Sequence, residues 1–212
     1  MLIIVPTARE AERLFDGPVP TCEMLVTTRV GDTEVQAALC GFGPAAAGAL
    51  AAIALARAGA GATLLAGICG TFDVDRLPVG GLFEATAVRM HGIGREESAF
   101  PQAPAGEGRE AIGDRLPVAV GGVPDAARGE LLTVAAPAEG VEEATSRRST
   151  YPEALAEDME GFAVALACAR LGRSLAILRG ASNVVGATAG WEHDLALTAV
   201  RRGLAAWVEG PK

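Results

Sequence analysis

The sequence predicts an α/β protein, a three-layer α/β/α sandwich around a central mixed, mainly parallel sheet. Three observations predict it. Apolar runs of strand length alternate with stretches of helix length. Most of those runs end in Gly, Pro or another small residue. Half of the residues are apolar but only 4% are aromatic, so Ala and Gly must do much of the packing, which suits helices lying close against a sheet. A chain of 212 residues can bury roughly 70% of its unfolded surface, and residues 1–212 read as one domain.

Strands are expected at Leu2–Val5, Leu25–Val30, Thr33–Leu39, Thr63–Ile68, Leu82–Val88, Leu131–Ala135 and Leu175–Leu178. Helices are expected at about 8–15, 44–58, 153–171 and 193–208; the third carries Leu155, Met159, Phe162, Ala163 and Leu166 as an apolar stripe. This order places helices on both faces of the sheet. The stretch from about 92 to 130 is rich in Gly, Pro and charge, and reads as a long loop with one short helix at most.

A formal charge of −8 and a pI near 4.9 argue against nucleic acid or an anionic membrane as partner. Cys22, Cys40, Cys69 and Cys168 include no CxxC pair, and His91 lies far from His193, so neither a disulfide framework nor a metal site is signalled. The N-terminal apolar run of four residues lacks a basic leader and reads as a buried strand. The Ala-rich stretch 44–60 carries Arg57 and is too short to span a bilayer. A cytoplasmic location is expected.

Four motifs are candidates for chemistry. Gly41-Phe42-Gly43-Pro44-Ala45-Ala46 superficially matches a dinucleotide fingerprint. The next strand, however, ends at Gly67 with no acid to hold a ribose, leaving a tight turn at a helix start, whether for a ligand or as plain punctuation. In Ala66-Gly67-Ile68-Cys69-Gly70, small residues at a strand's carboxyl end could let a flat ligand lie against backbone; the Cys69 sulfur itself reads as a small hydrophobe. In Glu157-Asp158-Met159-Glu160-Gly161, early acids suit a helix N-terminus, but a Gly inside the expected helix costs ~1 kcal/mol and marks a close approach. Beside such a gap, Glu160 could accept hydrogen bonds from two sugar hydroxyls, with Met159 as an apolar wall. Arg179-Gly180-Ala181-Ser182-Asn183 runs from a buried strand into a polar turn that serves equally as turn former or site.

Together the last two motifs resemble those of the nucleosidase and phosphorylase superfamily, an (E/D)-M-E-(G/A) element followed by R-x-x-S-(D/N). Pro6-Thr7-Ala8-Arg9-Glu10, Gly41-Phe42-Gly43 and Gly67-Ile68-Cys69-Gly70 fall in the same order, so the likeness covers almost the whole chain. AEDMEGFAVA, RGASN and Trp191 look most like the futalosine hydrolases, which release hypoxanthine from futalosine in menaquinone biosynthesis. Met90-His91-Gly92-Ile93-Gly94 departs from their pattern.

The resemblance implies a cofactor-free enzyme acting on a purine nucleoside as a homo-oligomer, a dimer or higher. It assigns Glu160 and Met159 to the ribose and Asn183 to the purine N7/O6 edge. Arg179 and Ser182 would shape the pocket, and Cys69 and Gly70 would lie along the base. The acid that activates water is Glu10 by spacing from Thr7, or Glu12 counted from the chain start. Adenine-releasing relatives carry Asp where this chain has Asn183. Phosphorylases carry phosphate-binding arginine and serine where it has Leu65 and Ile68. Hydrolysis of methylthioadenosine or adenosylhomocysteine, or phosphorolysis, is the alternative; a non-catalytic nucleoside-binding or assembly protein would not need both Glu160 and an N-terminal Glu.

Overall fold

In the computed structural model, which describes residues 1–21, 24–92, 113–188 and 190–210, the apolar run Leu2–Val5 forms β1 with every side chain buried. Side chains alternate along a strand. Leu2 and Ile4 accordingly enter one core, and Ile3 and Val5 enter the other. β1 lies between β3 (Thr33–Leu39) and β4 (Thr63–Thr71), parallel to both, and β2 (Val26–Val30) pairs antiparallel with β3.

One face is covered by α2 (Pro44–Arg57) and α4 (Gly161–Arg170), the other by α1 (Ala8–Leu14) and α5 (His193–Glu209). Small residues bring α2 and α4 together: a Cβ on Gly48 would sit 3.6 Å from the Ala163 Cβ. α2 starts on Pro44 directly after Gly43, whose φ of 84° favours glycine. The expected mixed sheet between two helical layers is present.

The remaining strands are β5 (Leu82–Met90), β6 (Arg115–Pro117), β7 (Ala127–Thr133), β8 (Ala154–Asp158) and β9 (Leu175–Val184). Part of the sheet closes on itself: β4 pairs with β9, β9 with β5, β5 with β7, β7 with β8, and β8 returns to β4. β6 is an antiparallel addition to β5. The β4·β9, β5·β7 and β7·β8 pairings are parallel; the β5·β9 and β4·β8 pairings are antiparallel.

Three expectations are corrected. The helix expected over 153–171 begins only at Gly161, because Ala154–Asp158 pairs with β4 and β7 as β8. Gly161 is therefore not a helix-interior glycine; it is needed because a Cβ there would lie 2.9 Å from Leu131 Cδ2 and 3.0 Å from Asp158 Oδ2. The expected loop 92–130 contains β6 and the start of β7, where Glu130 holds Arg89 and Arg115 at 2.7 Å each; residues 93–112 lie outside the described residues. An unanticipated helix, α3 (Val141–Thr150), precedes β8.

Candidate active site

β4 changes neighbours along one edge. β1 accompanies it as far as Leu65, while β8, arriving from the opposite direction, pairs only with Gly70 and Thr71. Between them the β4 edge pairs with no strand among the described residues, and such divergence points are where open α/β sheets bind ligands. A cavity of about 290 Å³ occupies this place, near the lower end of the ~300–1,000 Å³ usual for small-molecule sites. Glu10, Cys69, Gly70, Met159, Glu160, Ser182 and Asn183 all line it. Glu12 does not; it is exposed and borders a separate surface depression with Arg13 and Asp194.

Glu10 is positioned by the first turn of α1. Thr7 is the N-cap: its Oγ1 accepts the Glu10 N–H at 3.3 Å and donates to Glu10 Oε2 at 2.6 Å. Glu10 Oε1 accepts the Ile68 N–H at 3.2 Å, so a carboxylate takes the β4 amide in the gap between β1 and β8. Gly67 makes this possible, since a Cβ there would lie 2.7 Å from Glu10 Oε1 and 2.3 Å from Arg179 Nη1.

The cavity floor is a buried charge cluster. Asp158 Oδ1 accepts from Thr133 Oγ1 at 2.7 Å; Oδ2 accepts the Gly161 N–H at 2.8 Å and pairs with Arg179 Nη2. Thr133 Oγ1 also accepts the Phe162 N–H at 2.8 Å. Asp158 and Thr133 thus satisfy the first amides of α4, which frees the side chain of the N-cap residue Glu160. Its Oε1 accepts the Gly43 N–H at 3.1 Å, and its Oε2 lies 3.3 Å from Arg179 Nη2.

Arg179 is fully buried and does not line the cavity. It lies beneath the carboxylates, with Nε and Nη1 unpartnered among the described residues. Burial alone would lower its pKa, but Asp158, Glu160 and Glu10 outweigh that and hold it protonated.

Burial pushes the Glu160 carboxyl up to about 7, with Asp158 and Glu10 adding to the rise against the pull of Arg179 and the Gly43 amide. If the ionised form acts on substrate, kcat should rise with pH up to about 7 and then level, and Glu160→Gln should abolish this limb and lower kcat/KM more than about tenfold. Stability should change in the opposite sense. Between the ordinary carboxylate pKa and about 7 the folded state holds a proton that the unfolded state has lost, so unfolding free energy falls as pH rises through that window. Denaturant titrations of both proteins at several pH values, with the pH–rate profiles, test both effects. A tenfold or smaller loss at pH 8 would make Glu160 merely a helix-end acid.

Opposite the acids, the β4·β9 register shifts between Cys69 and Gly70, leaving Ser182 as the bulged residue. Ser182 Oγ lies 3.1 Å from the Cys69 carbonyl and 2.8 Å from Asn183 Oδ1; Asn183 Nδ2 donates to the Val184 carbonyl at 3.1 Å. Gly70 leaves room, since a Cβ there would lie 3.3 Å from Asn183 Nδ2. Burial raises the Cys69 thiol pKa well above its usual range, which argues against a thiolate nucleophile.

The rim consists of residues that sequence reasoning left without a role: Phe42, Arg9, Trp191 and His193, the last two stacked with ring centroids 5.6 Å apart. Asp158 stood inside a recognised motif but received no role. Thr133 had no local signal at all. Leu65 is buried in the core, whereas Ile68 faces the cavity. Among the described residues, no cluster of three His, Cys, Asp or Glu side chains could hold a metal, and no helix is long and apolar enough to cross a membrane.

A strand-divergence cavity floored by acids and a buried arginine defines a small-molecule site in an α/β protein. The family model of the Phosphorylase superfamily matches residues 6–206, and this chain belongs to that superfamily. Its fold is similar to that of a 5′-methylthioadenosine/S-adenosylhomocysteine nucleosidase from Colwellia psychrerythraea in complex with adenine (20% identity, TM-score 0.79, 98% of this chain and 93% of that one). It is also similar to the futalosine hydrolase of Helicobacter pylori (14% identity, TM-score 0.79, 98% and 96%). A Neisseria meningitidis 5′-methylthioadenosine/S-adenosylhomocysteine nucleosidase with methylthio-immucillin-A gives 17% identity and a TM-score of 0.76 over 98% and 97% of the two chains. No curated protein sequence matches significantly.

Proposed function

We propose that this protein hydrolyses the N-ribosidic bond of a purine nucleoside, with futalosine as the substrate and hypoxanthine as the released base. The observation that carries this reading is the convergence of Glu10, Glu160 and Asn183 on one cavity. Water adds to C1′ as the bond to the base nitrogen breaks; the base leaves with the electron pair and takes up a proton. Positive charge therefore develops on the sugar and negative charge on the base. Glu160 binds the ribose hydroxyls against the Met159 wall, where its carboxylate answers the sugar's charge. Glu10 holds the water and accepts its proton. Buried Arg179 offsets the crowding of acids beneath them. Asn183, fixed by Ser182 and Val184, has a second N–H to donate to the N7/O6 edge, while Cys69 and Gly70 flank the base.

Hydrolysis is favoured over phosphorolysis because buried Leu65 and cavity-facing Ile68 offer no ligand to phosphate. Chromatography of futalosine digests with and without phosphate tests this directly: free sugar is expected, and a sugar 1-phosphate overturns it. Methylthioadenosine hydrolysis, the reading suggested by two of the similar structures, is disfavoured by Asn183, because adenine gains from proton donation to N7 that an amide cannot supply. The 6-oxo nucleoside futalosine should be cleaved faster than its 6-amino counterpart, aminodeoxyfutalosine. Asn183→Asp should narrow or reverse that ratio of kcat/KM. A wild type that prefers the amino substrate, or a ratio unmoved by the substitution, removes Asn183 as the determinant of base choice.

A further inference from the structure

Resting on the nucleosidase reading, we infer that Arg9, with the stacked Trp191 and His193, forms a rim subsite that binds a flat, acidic group on the 5′ side of the substrate. Arg9 and Glu10 are neighbours on the first turn of α1 and diverge by the ~100° that separates consecutive helical side chains. Glu10 turns inward to the Ile68 amide, while Arg9 stays exposed and lines the cavity. One turn further, Arg13 is held by Asp194 at 2.8 Å. Arg9 has no such partner among the described residues, although the protein carries more acids than bases.

Position within the cavity gives this cation its meaning. The lining includes four carboxylates, Glu10, Glu157, Asp158 and Glu160, and among the described residues Arg9 is the one arginine on it. An acidic substituent is repelled from the floor and attracted only at the rim. There the Trp191 and His193 rings stack at an interplanar angle of 27°, and Trp191 remains 44% exposed. Phe42, also on the cavity wall, is 66% exposed. Exposed rings and an exposed guanidinium on one cavity lining suit an aromatic carboxylate: the ring covers apolar surface and the acid takes the N–H fork. A small neutral thioether could pack on the rings but would leave the guanidinium unused.

The test compares futalosine, which carries an aromatic acid on its 5′ side, with its methyl ester and with inosine, in the wild type and in Arg9→Gln, Arg9→Lys and Trp191→Ala. The ratio of kcat/KM for futalosine to that for inosine should fall roughly fivefold or more in Arg9→Gln, through KM, and recover partly in Arg9→Lys. It should also fall with added salt in the wild type, and in Trp191→Ala. The ester should be a poorer wild-type substrate than the acid and indifferent to Arg9→Gln. A ratio that does not respond to Arg9→Gln, or an ester cleaved as well as the acid, overturns the subsite while inosine cleavage still upholds the nucleosidase reading. If the wild type releases base from none of the three, the nucleosidase reading fails and the subsite with it.

Discussion

Replacing Glu10 with Gln should lower kcat by about 10²–10⁴-fold, the range typical of a lost general base, with little change in stability. The near-neutral effect on folding follows from the contacts. Gln retains an oxygen to accept the Ile68 N–H, and its amide can donate to Thr7 Oγ1, reversing the bond that Thr7 now donates to Glu10 Oε2. What Gln lacks is any capacity to take a proton from water. Glu12→Gln is the matched control, because that side chain lies outside the cavity. Initial rates and thermal midpoints of both variants decide the matter. A loss below about tenfold in Glu10→Gln, or an equal loss in Glu12→Gln, would return the choice of base to the open question posed by the sequence.

Arg179→Met should destabilise the fold by about 3–5 kcal/mol near neutral pH, the usual cost of breaking a buried ion pair by removing one partner. The large value is expected because Asp158 and Glu160 share this guanidinium, and no other arginine pairs with either among the described residues. In the variant the Glu160 carboxyl, without the pull of Arg179, should favour its protonated form more strongly. The folded state then binds more protons than the unfolded state above the ordinary carboxylate range, so the deficit should shrink as pH is lowered toward 5. Urea unfolding at pH 5 and pH 7.5 measures it. A loss under about 1 kcal/mol at both would show that the cluster holds together without its cation.

The sequence reveals most of this architecture where a local pattern and the tertiary environment agree. β1, β3, α2 and α5 fall close to their expected ranges because their periodicities match their burial. β8 was illegible for the opposite reason. Ala-Leu-Ala-Glu-Asp has good helix propensity and runs directly into a true helix, but pairing with β4 and β7 overrides it. α3 lacks an apolar stripe, burying only Ala144 and Arg147. Its Glu142-Glu143 start and Arg147-Arg148 end complement the helix dipole and were the available signal. In the candidate site, Glu10, Cys69, Gly70, Met159, Glu160, Ser182 and Asn183 stand in sequence motifs and line one cavity, with Arg179 buried beneath it. A side chain delivered by a distant segment, such as Thr133, which donates to Asp158, had no pattern to betray it.

The closed circuit of strands divides the labour of the molecule. Asp158, Arg179, Ser182 and Asn183 belong to strands of that circuit, and Glu160 is tied to it through Arg179. The reacting floor is therefore built into a hoop of hydrogen bonds that admits little adjustment. Phe42, Pro137 and Trp191 sit on connections between elements, where exchange of residues leaves the hoop intact. Such a division lets the lip of the cavity be remodelled for a different 5′ appendage while the bond-breaking apparatus is inherited unaltered.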